Sequence, residues 1–114
     1  YRKEFFHMND VQLQVVMGLI MNAGNAKSEA VAALAAAKDN DFSEADARMK
    51  AANDALVEAH NTQTGLLTAE ASGKNTEVTL LMVHSQDHLM NAISYLGLTQ
   101  ELIDVYKRLA TIEK

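Results

Sequence analysis

The chain has 114 residues, of which 48% are hydrophobic, and carries a formal net charge of -5. A chain of this length forms one small domain that buries roughly two thirds of its unfolded surface. The 10 basic residues are scattered along an acidic sequence, which argues against nucleic acid as a partner. Cysteine is absent, which excludes a disulfide framework, a thiolate metal site and a cysteine nucleophile.

The N-terminal residues differ in composition from the rest of the chain. We predict that residues 1–10 form a tail, partly non-native if Met8 is the natural start, and that residues 11–114 form one helical domain. The tail is charged and lacks the apolar stretch of a secretory signal. Apolar runs such as VVMGLIM are far shorter than the roughly 20 residues of a membrane-spanning helix. Together with the absence of cysteine, these features predict a cytoplasmic protein.

Helix is expected almost everywhere, because the sequence has no proline and is rich in alanine. Two breaks interrupt it. The first, KDNDFSEAD, has Asp41 followed three residues later by Glu44, which is the pattern of a capping box. The second, EASGKNTE, has Gly73 followed by Asn75 and Thr76 as candidate N-caps.

The expected helices cover about 9–38, 43–70 and 76–112, and short connections make neighbours antiparallel, so the predicted fold is an all-α, up-down-up three-helix bundle. The runs VVMGLIM in the first helix and VTLLMV in the third cover every direction of the helical wheel. A single three-helix bundle leaves one face of each helix exposed, so self-association through these two helices explains why they are apolar all round. A thick core within one chain is the alternative. Gly18 and Gly24 predict a close approach of another helix.

A polar cluster (His84, Asp87, His88 and Asn91) interrupts an apolar side of the third helix. At about 100° per residue, Asp87 lies about 60° from His84 on one side, and His88 lies about 40° away on the other. Asn91 lies within about 20° of His84. Burying such groups costs free energy unless they are paired, so a compact polar cluster here needs a reason.

The residues alone leave three interpretations of the polar cluster open. It can fix the register of a core or an interface, or one imidazole can be a nucleophile that carries a transferable group. It can also make a metal-binding structural or regulatory bundle, with His84, Asp87 and His88 as ligands. The run HSQDH lacks the glutamate of H-E-x-x-H, and the chain has no pair of Glu-x-x-His motifs for a di-iron site.

The octapeptide VHSQDHLM resembles the signature of the lactose/cellobiose family of enzyme IIA proteins of the bacterial phosphoenolpyruvate-dependent sugar phosphotransferase system. The segments VVMGLIMNAGNAKSEA, AKDNDFSEAD, EAHNTQTGLL and VYKRL also resemble the family, in matching order and spacing, from Val15 to Leu109. The resemblance implies homotrimers that take a phosphoryl group from the histidine-containing phosphocarrier protein (HPr) and pass it to a cysteine of enzyme IIB. Membrane-bound enzyme IIC then couples sugar entry to phosphorylation. TEVTLLMVHSQDHLM is closer to the cellobiose or chitobiose branch than to the lactose branch.

The resemblance also implies roles for individual residues. His84 matches the phosphorylated histidine, His88 lies beside it as a supporting residue, and Asp87 meets its symmetry mates around a divalent cation at the threefold axis. Three carboxylates drawn together repel one another, and a hard ion such as magnesium, which prefers oxygen ligands, compensates. His88, or His60 and Gln63 of the second helix, are candidate donors to the phosphoryl oxygens.

Overall fold

The computed structural model describes residues 9–113, which form three α-helices. Helix α1 covers Asp10–Lys38, α2 covers Phe42–Ala71 and α3 covers Leu80–Ile112. Of the predicted tail, only Asn9 and Asp10 are described, as the N-cap and first residue of α1, and the rest of that prediction lies outside these residues. None of the three described helices combines the length and the hydropathy that crossing a membrane requires.

The helices run up, down and up, as pairs of residues across them show. Residues late in α1 contact residues early in α2, and residues early in α1 contact residues late in α2. The same holds for α2 and α3, so each helix is antiparallel to the next. The pairs that show this are Glu29–Arg48 and Leu19–Ala59 for α1 and α2, and Asp46–Lys107 and Gln63–Gln86 for α2 and α3. The all-α three-helix bundle is therefore confirmed.

The turn between α1 and α2 agrees closely with the prediction. Asn40 adopts a left-handed conformation with φ of 61°, which ends α1, and the backbone N–H of Asp41 donates to the carbonyl of Ala36 at 2.9 Å. The carboxylate of Asp41 then accepts from the N–H of Glu44 at 3.2 Å and caps α2. Half of the capping box is thus present, while the carboxylate of Glu44 instead accepts from Arg48 at 2.7 Å.

The turn between α2 and α3 begins as predicted but ends later. Gly73 has φ of 88°, and the N–H of Lys74 donates to the carbonyl of Ala69, which closes α2. The predicted start of α3 at Thr76 is wrong, because Thr79 is the N-cap and accepts from the N–H of Met82 at 3.1 Å. The chain ahead of Thr79 is non-helical, and Thr76 and Val78 in it line the groove between the end of α2 and the start of α3.

The main core lies between the second half of α1 and the first half of α2, and small side chains dominate it. A short side chain at a helix contact lets two helix axes approach closely. Leu96 and Ile103 of α3 close this core from the third side. The other buried members of this alanine core are Ala26, Ala30, Ala33, Ala37, Ala45, Met49, Ala52 and Ala55.

The opposite end of the bundle is less well filled. Leu19, Ala59 and Leu89 form a second, smaller buried cluster there. Beside them the apolar groove between α2 and α3 has a volume of about 270 Å³ and is lined in part by Leu66 and Val78. This is also the end of α3 that carries the polar cluster.

Large apolar side chains stay exposed mainly on α1 and α3. Among the described residues, eight lie on α3 and five on α1, against two on α2. The alternative of a thick core within one chain is therefore wrong. The close approach predicted at Gly18 and Gly24 is also wrong for a single chain, because a Cβ added at either position would meet nothing within 4 Å in the described part of the chain.

Candidate functional site

The polar cluster lies on an outward face of α3, in the turns that follow the Thr79 cap. His84, Asp87 and Asn91 are exposed and His88 is half-buried. Ser85 and Leu89, which alternate with them, are fully buried on the opposite side of the helix. The helical period therefore brings the four polar residues to one face as predicted, although in a single chain that face is open to solvent.

The two histidines contact each other directly. Nε2 of His84 lies 3.1 Å from Nε2 of His88, with ring centroids 4.4 Å apart and ring planes at 84°. A neutral imidazole has one N–H and one bare nitrogen, so one Nε2 must donate and the other accept. When His88 donates, Nε2 of His84 keeps its lone pair and its proton sits on Nδ1. In that tautomer the lone pair of His84 accepts the hydrogen bond, and it becomes free to attack when the His88 ring turns away.

Asp87 and Asn91 form a second pair beside the histidines. The side-chain amide of Asn91 donates to Oδ2 of Asp87 at 3.3 Å. The other carboxylate oxygen, Oδ1, has no hydrogen-bond partner among the described residues. The polar cluster therefore consists of two i, i+4 pairs, one able to act as a nucleophile and the other presenting a free carboxylate oxygen.

A metal site within one chain is not supported. In residues 9–113, no three His, Cys, Asp or Glu side chains converge as a bound metal ion requires. Asp87 lies on the side of His84 away from His88 and bonds to Asn91 instead. The proposed ligand set of His84, Asp87 and His88 is therefore not assembled by this fold on its own.

The candidate donors on α2 lie elsewhere. Nε2 of Gln63 donates to Oε1 of Gln86 at 2.8 Å, in a partly buried bond that joins α2 to α3. Gln86 lies about 200° around α3 from His84, so Gln63 faces the far side of that helix. His60 is exposed on α2. Sequence reasoning missed this glutamine pair. A usable signal was that the helical period turns Gln86 away from the polar cluster, toward the inside of the bundle.

Comparison with known proteins bears directly on this site. The family model described as PTS system, Lactose/Cellobiose specific IIA subunit matches residues 14–107, which include the whole polar cluster. The lichenan-specific phosphotransferase enzyme IIA component of Bacillus subtilis (strain 168) is 43% identical over 102 residues. That match covers 90% of this chain and 93% of the relative.

Solved structures share both the fold and the sequence. The crystal structure of the PTS cellobiose-specific enzyme IIA from Bacillus anthracis matches with a TM-score of 0.87 and 46% identity, covering 92% of this chain and 95% of that one. The solution structure of the IIA(Chitobiose)–HPr complex of the Escherichia coli phosphotransferase system matches with a TM-score of 0.74 and 44% identity, covering 85% and 94%. The chain therefore belongs to the lactose/cellobiose-specific enzyme IIA family, whose members carry phosphoryl groups in the sugar phosphotransferase system.

Proposed function

We propose that this protein accepts a phosphoryl group on His84 from HPr and passes it to a cysteine of enzyme IIB during sugar uptake. The observation that carries the proposal is the exposed His84 ring, whose Nε2 lies 3.1 Å from Nε2 of His88. An exposed nucleophile suits a carrier, because two different partner proteins must reach the same atom in turn.

The chemistry needs two displacements at phosphorus. In the first, the lone pair of His84 attacks the phosphorus of phosphorylated HPr, and the bonding electrons of the broken N–P bond return to the imidazole of HPr. In the second, the thiolate of enzyme IIB attacks the same phosphorus, and the bond to His84 breaks. This chain has no cysteine, so the thiolate belongs to another chain.

His88 is proposed to steady the group that His84 carries. Its Nε2 is already within hydrogen-bonding distance of the reacting nitrogen, so a modest turn of the ring brings its N–H to a phosphoryl oxygen. A hydrogen bond from the supporting histidine favours the charged phosphoryl group and aligns it for transfer. His88 is thus a supporting residue, whereas His84 forms and breaks the covalent bond.

The working form is proposed to be a homotrimer with Asp87 of each chain at the threefold axis. The exposed apolar side chains of α1 and α3 favour such an assembly, since they leave a large hydrophobic surface in water. Asp87 is exposed and has one carboxylate oxygen that bonds to no other residue in the range 9–113, which suits a hard divalent cation such as magnesium. When bound, the cation offsets the repulsion between three carboxylates.

The relatives support HPr as a partner and the cellobiose or chitobiose branch. The chitobiose relative, at 44% identity, is solved in complex with HPr, which supports HPr as the donor. Relatives named for cellobiose and chitobiose favour that branch over the lactose branch. The protein is proposed to be cytoplasmic and to meet the membrane only indirectly, through enzyme IIC.

Phosphorylation followed by intact mass tests the proposal. Incubation with phosphoenolpyruvate, enzyme I and HPr should add one phosphoryl group to the wild type, and mild acid should remove it. His84→Gln keeps a polar side chain of similar size but has no nucleophilic ring nitrogen, so it should fold normally and stay unlabelled. An unlabelled wild type, or a His84→Gln variant labelled as fast as the wild type, would overturn the assignment.

His88→Gln is the matched variant on the same helix. It should still gain the phosphoryl group, because His84 is intact, but should pass that group to enzyme IIB more slowly. Loss of labelling in His88→Gln with normal labelling in His84→Gln would move the acceptor to His88. Loss of labelling in both variants would show that His84 accepts the phosphoryl group only when His88 is present.

A further inference from the structure

Helix α3 presents a continuous outward stripe, called the α3 seam below, on which residues alternate at spacings of four and three. This spacing is the heptad pattern by which helices pack against copies of themselves. Leu80 and Leu98, at its two ends, are 86% and 66% exposed in the single chain. The residues of the seam are Leu80, His84, Asp87, Asn91, Ser94 and Leu98. His84 lies at the edge of the seam, about 60° around the helix from Asp87, so partner proteins can still reach it.

Asn91 lies in the α3 seam four residues after Asp87 and is hydrogen-bonded to it. Its side-chain amide donates to Oδ2 of Asp87 at 3.3 Å. We infer that Asn91 is the positioning residue of Asp87, holding the carboxylate so that Oδ1 faces the cation at the threefold axis. This inference rests on the trimer and the cation of the proposed function.

A neutral amide suits this position for two chemical reasons. It donates a hydrogen bond to Asp87 without adding a positive charge that would compete with the cation for the carboxylate. It also occupies one oxygen and leaves the other free, so the carboxylate is held by one oxygen and can bind the cation through Oδ1. A lysine or arginine at this position would neutralise Asp87 instead.

The environment of the α3 seam decides how much the bond matters. Between water-exposed side chains, an i, i+4 amide–carboxylate pair contributes little, because water replaces it. In the assembled seam, the leucines on both sides exclude water, and the same hydrogen bond strengthens in the lower dielectric. Partners that orient a metal ligand typically change metal affinity by about 10–100-fold when they are removed.

The test is a titration of the purified trimer with Mn²⁺, followed by electron paramagnetic resonance. The wild type should bind one ion per three chains. Asn91→Leu and Asn91→Ala cannot donate to Asp87 and should weaken Mn²⁺ binding by about 10–100-fold while remaining trimeric. Asn91→Gln still reaches the carboxylate at i, i+4 and should keep most of the affinity.

Ser94→Ala is the matched control, since Ser94 is the next polar residue of the α3 seam after Asn91. Its affinity for Mn²⁺ should equal that of the wild type. Trimeric Asn91→Leu or Asn91→Ala with wild-type affinity would overturn the inference alone. Failure of Asn91→Gln to rescue, with a loss as large as in Asn91→Ala, would also overturn it. A wild type that is not trimeric, or that binds no Mn²⁺, would overturn the proposed assembly or cation and the inference with it.

Discussion

The two ends of the bundle differ in how completely one chain buries its apolar surface. At the end where α1 meets α2, the alanine core is closed on all sides, and Ala30, Ala33 and Ile103 are fully buried. At the end that carries His84, Leu19, Ala59 and Leu89 form a smaller buried cluster, and a groove of about 270 Å³ lies open beside them. One end has a core that its own chain closes, whereas the other keeps an open groove beside a smaller cluster. The exposed apolar side chains of α3 run along both ends, from Leu80 to Ile112.

Ion pairs reinforce the contrast. At the closed end, Arg48 of α2 bonds to Glu29 of α1 at 3.2 Å, and Lys107 of α3 bonds to Asp46 of α2 at 2.9 Å, so all three helices are joined. A hydrogen bond to Glu44, followed by one to Glu29, raises the pKa of Arg48. Such exposed pairs contribute little stability each. They do show that side chains of all three helices are joined at the closed end, while His84, Asp87 and Asn91 at the other end face outward.

The largest expected effect is a loss of folding stability at the closed end. Ile103→Ala removes a fully buried side chain from the alanine core, and we expect it to lower the free energy of unfolding by about 2–5 kcal/mol. Chemical denaturation followed by circular dichroism measures the loss. The loss should be similar at every protein concentration, because the cavity forms inside each chain.

Leu98→Ala on the same helix is the matched control. Leu98 is 66% exposed in the single chain, so its truncation should cost little within one chain and act mainly on association. Its effect on the denaturation midpoint should therefore shrink as dilution dissociates the assembly, because a single chain leaves Leu98 in water. If Leu98→Ala destabilised the fold as much as Ile103→Ala at all concentrations, the distinction between the inward and outward faces of α3 would be wrong.

The next effect acts at the open end and has the opposite sign. Asp87→Leu removes three carboxylates from the proposed axis and adds apolar atoms there. Replacing a buried charge cluster with packed hydrophobic residues is often neutral or stabilising by about 1–4 kcal/mol. We expect the variant to stay trimeric in sedimentation with and without a chelator, whereas chelation should weaken the wild-type trimer. Dissociation of Asp87→Leu to monomers would show that the cation site holds the assembly together.

The smallest effect concerns the start of α3, where the open end begins. Thr79→Ala removes the side chain that accepts from the N–H of Met82, and should lower the free energy of unfolding by about 1 kcal/mol. Thr79→Ser keeps the hydroxyl and should recover most of that loss. Thr76→Ala, at the start predicted from sequence, should cost less than Thr79→Ala in the same denaturation experiment. The reverse order would place the cap at Thr76.

Much of this architecture follows from the sequence by itself. The absence of proline and the abundance of alanine predict helix throughout, and Asp41 and Gly73 mark both turns, because cap and left-handed positions accept few residue types. The face shared by His84, Asp87 and His88 also follows from the sequence, since the helical period is fixed by backbone geometry. These are local properties, and each depends on a few neighbouring residues.

Only the tertiary structure decided the features that depend on distant residues. Thr76 and Thr79 are both competent caps, and the structure has Thr79 as the N-cap of α3, with Thr76 lining the groove beside α2. The pairing of Gln63 with Gln86, across α3 from His84, required the relative rotation of two helices. That rotation arises from how side chains across the whole bundle pack together, a sum over many contacts that no single stretch of sequence contains.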